Sequence, residues 1–144
     1  MKKDFQKWHT LKAKIDAQHP SPLFREQEIW WCSLGSNVGT EEDGKNKLFE
    51  RPVIVIRKFS KDMFWGVPAT LQKKEGVFYF TFTLFEQEQI ALVSQIRTLS
   101  GKRLIRRMGK LSTRQFTALK DAVIVLFNKK ADPLRDPRVP GGNL

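Results

Sequence analysis

The 144-residue chain is poor in the groups that usually announce chemistry. It holds one cysteine, Cys32, and two histidines, His9 and His19. A single cysteine excludes an internal disulfide and a cysteine-type zinc site. Both histidines precede Pro20, so beyond it there is no imidazole for a paired-histidine acid–base site or a Ser-His-Asp triad. The chain also lacks a His-x-x-x-His pair, an Asp-x-Asp-x-Asp-Gly loop and a Gly-x-x-x-x-Gly-Lys-Ser phosphate loop. No apolar run approaches the ~20 residues of a membrane helix. The start, Met1-Lys2-Lys3-Asp4, leads into a polar stretch and does not read as a secretory signal. These absences predict a cytoplasmic protein with no membrane contact, no metal and no cofactor. Cys32, in mid-strand, reads as a small buried hydrophobe rather than a nucleophile.

What the chain does have is positive charge. Lys plus Arg number 26 against 15 Asp plus Glu, a net charge of +11. Residues 1–25 contribute +4, residues 26–130 contribute +7, and residues 131–144 are neutral. Such an excess points to a polyanionic partner, most plausibly nucleic acid, with plain solubility as the alternative. Between Arg97 and Lys110 lie six basic residues and no acid: Arg97, Lys102, Arg103, Arg106, Arg107 and Lys110. Interleaved Leu99, Leu104, Ile105 and Met108 mean that only part of the run points one way. Arg103 and Arg106 are then expected to contact phosphates. The aromatics Trp30, Phe49 and Trp65 read first as packing residues and second as stacking platforms for unpaired bases.

The pattern divides the chain in three. Residues 1–25 form an accessory helix and linker: Phe5, Trp8, Leu11 and Ile15 make one apolar stripe, Asp4 is the candidate cap, and His19-Pro20-Ser21-Pro22 breaks the helix. The stripe is expected to pack on the main domain. Residues 26–130 read as short strands: Glu28–Cys32, Val53–Ile56 opened by Arg51-Pro52, Met63–Ala69, an alternating Val77–Leu84, and Gln89–Val93. A long polar connection over 33–50 carries the acidic triplet Glu41-Glu42-Asp43. A helix follows, with Ser112 as cap, Gln115 reaching back to complete a capping box, and Phe116, Leu119, Val123, Leu126 and Phe127 as its apolar face. Residues 131–144, rich in Pro and Gly, read as a flexible tail. The fold class is mainly β, a small barrel or strongly bent sheet with a helix against it.

Four blocks then read together: Glu28-Ile29-Trp30-Trp31; Glu50-Arg51-Pro52-Val53-Ile54-Val55-Ile56; Val67-Pro68-Ala69-Thr70; and Ser94-Gln95-Ile96-Arg97-Thr98 with Lys102-Arg103-Leu104 and Gly109-Lys110-Leu111-Ser112. In that order and spacing they resemble the MazF/PemK family of toxins from type II toxin–antitoxin systems, over roughly residues 26–128. The resemblance implies an SH3-like barrel with a C-terminal helix, usually a homodimer. It implies a metal-independent endoribonuclease that cuts single-stranded RNA by attack of the 2′-hydroxyl, inhibited by a cognate antitoxin. By the same analogy Arg51 and Thr70 are catalytic, and Glu41, Gln95, Arg97, Lys102 and Arg103 contact RNA.

On residues alone Arg51 is a surface arginine beside a strand-opening proline, and Thr70 a turn residue. The chemistry of 2′-hydroxyl attack nevertheless suits them. It requires in-line geometry and charge stabilisation, which a guanidinium fork and a hydroxyl supply. Arg51→Ala is accordingly expected to abolish cleavage and leave the melting temperature almost unchanged. Many relatives carry Asp where this chain has Ser94, so a general base must come from Glu41, Glu42 or Asp43, or be absent. Two rivals share the fold: a non-enzymatic, DNA-bound gyrase poison of the CcdB type, although Pro140–Leu144 lacks the terminal aromatic, and a catalytically inactive RNA-binding barrel.

Overall fold

The computed structural model describes residues 2–128; the expected tail at 131–144 lies outside the described residues. The elements run α1 (Phe5–Gln18), β1 (Glu28–Ser33), β2 (Glu50–Ser60), β3 (Met63–Thr70), β4 (Tyr79–Leu84), β5 (Gln87–Leu92), β6 (Arg97–Ser100), β7 (Leu104–Lys110) and α2 (Thr113–Asn128). The strands pair antiparallel in the order β4-β5-β3-β2-β1-β7, and β6 adds to β3.

The apolar run Val53-Ile54-Val55-Ile56 on β2 is explained by burial on both faces. Ile54 and Ile56 enter one core with Ile29, Val67, Phe82, Leu84, Phe116 and Leu119. Val53 and Val55 enter a second core with Phe24, Trp30, Cys32, Phe64 and Leu99. A strand covered on both sides loses the hydrophobic alternation that a one-sided strand shows. Alternation is visible instead on β4, where Phe82 and Leu84 are buried and Thr81 and Thr83 exposed.

The expected barrel is an open sheet, with no ladder joining β4 to β7. Side chains bridge the gap. Leu84 and Phe85 press on Gly109, where an added Cβ would lie 3.2 Å from each. Ser112 caps α2 as expected, its Oγ accepting from the Gln115 N–H at 3.2 Å. The Gln115 carboxamide does not reach back to complete a capping box. It accepts from the Thr83 N–H at 2.7 Å and donates to the Thr83 carbonyl at 3.0 Å. The amide thus stands in for a neighbouring strand on the free edge of β4, where an unpaired ladder is otherwise a liability. Phe116 and Leu119 are buried, whereas Phe127 is 82% exposed and does not join the expected apolar face.

At the other end, Asp4 caps α1, its Oδ1 accepting from the Lys7 N–H at 3.0 Å. Trp8 and Ile15 are buried, while Phe5 stays half exposed, so only part of the predicted stripe packs on the strands. Lys102 Nζ donates to the Asp16 carbonyl at 2.8 Å, and Arg103 sits 5.6 Å from the Trp8 ring. The basic run expected to be a phosphate-facing surface is therefore partly the seat of α1. No helix among the described residues is long and apolar enough to cross a membrane.

Candidate active site

The cleft arises where a ladder stops. The β2–β3 pairing begins at Val53↔Pro68. Pro52 and Pro68 have no N–H to donate, and prolines sit where ladders end. Beyond that point β3 turns to pair with β5 at Ala69↔Ala91 and Thr70↔Ile90. Arg51 and Thr70 are thereby left at the open end of the β2–β3 pair, lining one cleft of about 240 Å³. Trp31, Pro52, Leu71 and Gln89 line it as well.

Arg51 is 7% exposed and held on three sides. Its Nε donates to the Asp43 carbonyl at 2.6 Å and a terminal nitrogen to the Ala69 carbonyl at 3.3 Å. The other terminal nitrogen lies 2.7 Å from Glu42 Oε1. A guanidinium has five N–H donors. Three face these partners, and among the described residues the other two have none. Thr70, 8% exposed, accepts from the Gln72 N–H at 3.2 Å, and among the described residues its own hydroxyl proton has no acceptor.

The acidic triplet divides its labour. Glu41 accepts from the Val38 N–H within its own turn. Asp43 turns away from the cleft: its Oδ2 lies 3.0 Å from Lys3 Nζ and its Oδ1 accepts from the Asn37 N–H at 2.6 Å. Only Glu42 directs its carboxylate onto Arg51. It also borders a second groove of about 420 Å³, with Glu41, Ser94, Gln95 and Arg97. Gln95 stitches the loop over that groove, accepting from the Glu42 N–H at 3.2 Å and donating to the Thr40 carbonyl at 3.1 Å. The structure thus gathers Arg51 with Thr70, and Glu41 with Gln95 and Arg97, with Glu42 between the two groups.

Lys102 and Arg103 belong to neither. Arg103 donates to the Ser33 and Leu34 carbonyls at 3.1 and 3.4 Å, and burial pulls its pKa below the usual arginine value. Together with Trp8, Ile15 and Asp16 these two residues line a small recess beneath α1. Arg106 forms a two-pronged pair with Glu50 at 3.1 and 3.2 Å and lies 4.9 Å from the Trp31 ring. Arg107 pairs with Glu28 at 2.8 Å. Burial pushes the Cys32 thiol up to about 12, against the weaker pull of Arg103 and Arg97, so it is not a thiolate near neutrality.

Sequence reasoning missed Gln89. It is 5% exposed, lines the Arg51 cleft, and its carboxamide makes no hydrogen bond among the described residues. A polar side chain at a strand position where Val or Leu would pack was the available signal. Among the described residues no group of three His, Cys, Asp or Glu side chains is placed to hold a metal ion.

The family model for the PemK-like, MazF-like toxin of type II toxin–antitoxin systems matches residues 25–127. No curated protein sequence matches the chain. MazF from Deinococcus radiodurans superposes with a TM-score of 0.60 at 14% identity, covering 75% of this chain and 99% of its own. An endoribonuclease from a mycobacterial species, solved in complex with its cognate antitoxin, gives 0.56 at 10% identity, covering 76% and 99%. The Mycobacterium tuberculosis toxin MazF-mt6 gives 0.53 at 16%, covering 72% and 99%. At these identities the likeness is one of fold, and the family match, which spans more than half of the chain, decides the assignment. With α1 lying outside the match and the Arg51 cleft inside it, the chain belongs to the PemK/MazF-like toxins of type II toxin–antitoxin systems, an endoribonuclease family.

Proposed function

We propose that this toxin cleaves single-stranded RNA without a metal ion, and that Arg51, Thr70 and Glu42 carry the reaction. The substrate's 2′-oxygen attacks the adjacent phosphorus while the bond to the 5′-oxygen breaks. The Glu42 carboxylate, beside Arg51, takes the 2′-hydroxyl proton; the departing 5′-oxygen takes one from solvent. The products are a cyclic phosphate and a 5′-hydroxyl. Arg51 acts as an electrostatic clamp rather than a proton donor, because a guanidinium holds its proton far above neutral pH. Its two uncommitted N–H groups and the Thr70 hydroxyl meet the oxygens on which charge develops, and both side chains are held in place before substrate arrives.

The observation that carries this reading is the half-satisfied Arg51 fork facing a cleft shared with Thr70. The groove of Glu41, Gln95 and Arg97 is the proposed path for flanking nucleotides, and the surface that an acidic antitoxin segment would cover. Homodimerisation is part of the same proposal. The DNA-directed rival gains nothing from the comparisons, which lead to toxins and an endoribonuclease.

The test is incubation of purified protein with a long single-stranded RNA in excess EDTA, followed by mapping of the 5′ ends. Discrete ends bearing 5′-hydroxyl groups are expected. Intact RNA across varied sequences, or cleavage restored only by a divalent ion, overturns the proposal.

A further inference from the structure

The N-terminal segment, outside the family match, reaches the loop that holds Arg51. Lys3 is its hub. Lys3 Nζ donates to the Asn37 carbonyl at 2.6 Å and the Gly39 carbonyl at 3.1 Å, and lies 3.0 Å from Asp43 Oδ2. The same residue Asp43 accepts the Arg51 Nε–H through its carbonyl. One ammonium therefore ties three points of the 34–49 loop together, one residue from the guanidinium it supports.

Five residues further on, Trp8 pins both ends of the loop. Its indole lies so close to Gly35 that a Cβ there would fall 2.2 Å from the ring, and Gly35 has φ +92, a conformation natural to glycine. The Trp8 and Phe49 rings are 5.6 Å apart. The Phe49 carbonyl in turn accepts from the N–H groups of Leu34 and Gly35 at 2.8 and 3.1 Å, closing the loop's neck. Loops of about this length without regular structure are mobile unless something fixes them.

We propose that residues 2–18 form a strap that orders the 34–49 loop, with Lys3 as a positioning residue that acts on Arg51 through Asp43. The reason is geometric. Arg51 is aimed by the Asp43 carbonyl and the Glu42 carboxylate, both on the loop, and those two groups are fixed only as well as the loop is. A misplacement of about 1 Å in a clamp on the reacting phosphate costs on the order of a hundredfold in rate. The proposal rests on the reading of Arg51 given above and extends it to a segment the family pattern does not contain.

The experiment uses the full chain and a short single-stranded RNA cut by the wild type. Lys3→Met is expected to lower kcat about ten- to a hundredfold with KM within about twofold, and to shift the melting temperature by no more than ~2 °C. Lys3→Arg restores most of the loss by keeping the charge. In an Asp43→Asn background, Lys3→Met causes a smaller further loss than in the wild type, because only its ties to the Asn37 and Gly39 carbonyls remain to be removed. Amide exchange in Lys3→Met rises within residues 36–44 and not along β2 and β3. An unchanged or raised kcat, losses that multiply in the double variant, or exchange that rises throughout the sheet overturns the strap. Arg51→Ala on the same RNA separates the two claims. If it abolishes cleavage while Lys3→Met changes nothing, the strap alone falls. If it leaves cleavage intact, the Arg51 reading falls and takes the catalytic role of Lys3 with it.

Discussion

Replacing Arg51 with alanine now carries a different expectation from the one its sequence position suggested. A surface arginine would leave stability untouched, whereas this one is 7% exposed and bonds two backbone carbonyls and a carboxylate. Hydrogen bonds of charged groups are each worth about 1.5–3 kcal/mol by mutation. The cleft lets water reach the two orphaned carbonyls, so the lower end applies to each of these two bonds, and with little added by the ion pair to Glu42 a total of about 3 kcal/mol is expected. For a domain of this size that is a fall in melting temperature of roughly 10 °C. A domain starting near 8 kcal/mol would keep about 5, and so remain more than ~99% folded at 25 °C. Lost folding therefore accounts for almost none of any rate change at that temperature. Loss of the clamp on the phosphorane oxygens should cost on the order of a hundred- to a thousandfold. The assay is single-turnover cleavage of a labelled RNA in EDTA at 25 °C, beside a thermal melt of the same sample. Arg51→Lys should keep the charge but not the fork, recovering part of the stability and little of the rate. A lower melting temperature with a normal rate would make Arg51 a structural tie only. A lost rate with a normal melting temperature would refute the bonding described for it.

Other consequences are open to direct measurement. Glu42→Gln should cut single-turnover cleavage by about a hundredfold or more, the usual effect of losing a general base, while costing less than ~1 kcal/mol in a denaturant titration; near-normal cleavage would remove Glu42 from the reaction. Gln89→Leu should alter the spectrum of sites cut in a pooled RNA library, because the Gln89 amide lines the Arg51 cleft and makes no hydrogen bond among the described residues; an unchanged spectrum would deny Gln89 contact with the substrate. Burial pushes the Cys32 thiol from the 9.0 of a free thiol up to about 12 in the folded state, so its contribution to stability is complete below pH 9 and declines as the pH rises towards 12. The slope approaches ~1.4 kcal/mol per pH unit; urea titrations at pH 8.5 and 10.5 should show it, and Cys32→Ala should flatten it. Arg97→Ala should reduce the salt slope of RNA binding by ~0.7, one phosphate contact, whereas Arg103→Ala should leave that slope unchanged and lower stability, since its donors hold the Ser33 and Leu34 carbonyls.

Much of the fold was legible because local signals agreed with the tertiary context. The caps at Asp4 and Ser112, the alternation on β4 and the apolar run on β2 each name their element. The β4–β5 hairpin was not legible in its turn. Phe85 and Glu86 both have positive φ, +50 and +63, in a two-residue connection where Gly or Asn is the usual marker. Strands β6 and β7 were hidden for another reason. Their basic residues dominate the local pattern, and which of them faces a partner depends on β1 and α1, nearly 70 residues or more away. Gln115 shows the same limit: the capping-box spacing is present, but an unpaired strand edge is a better partner for its amide than its own helix.

The basic run separates what charge can say from what it cannot. Net charge reports attraction at a distance and contains no information about which cations are already spent. Of the six between Arg97 and Lys110, Arg106 and Arg107 meet Glu50 and Glu28, and Lys102 and Arg103 hold backbone carbonyls of α1 and β1. Arg97 alone of the six lines a groove beside Glu42. Arg51, by contrast, stands outside the run, just after Glu41, Glu42, Asp43 and Glu50, where a reading by charge density passes over it. A guanidinium with three donors fixed and two free is more useful to a reacting phosphate than six loosely hydrated ones, because its orientation is set before substrate arrives. The acids that lower the local charge are what set that orientation, so the weakest site by net charge is the one best prepared to do chemistry.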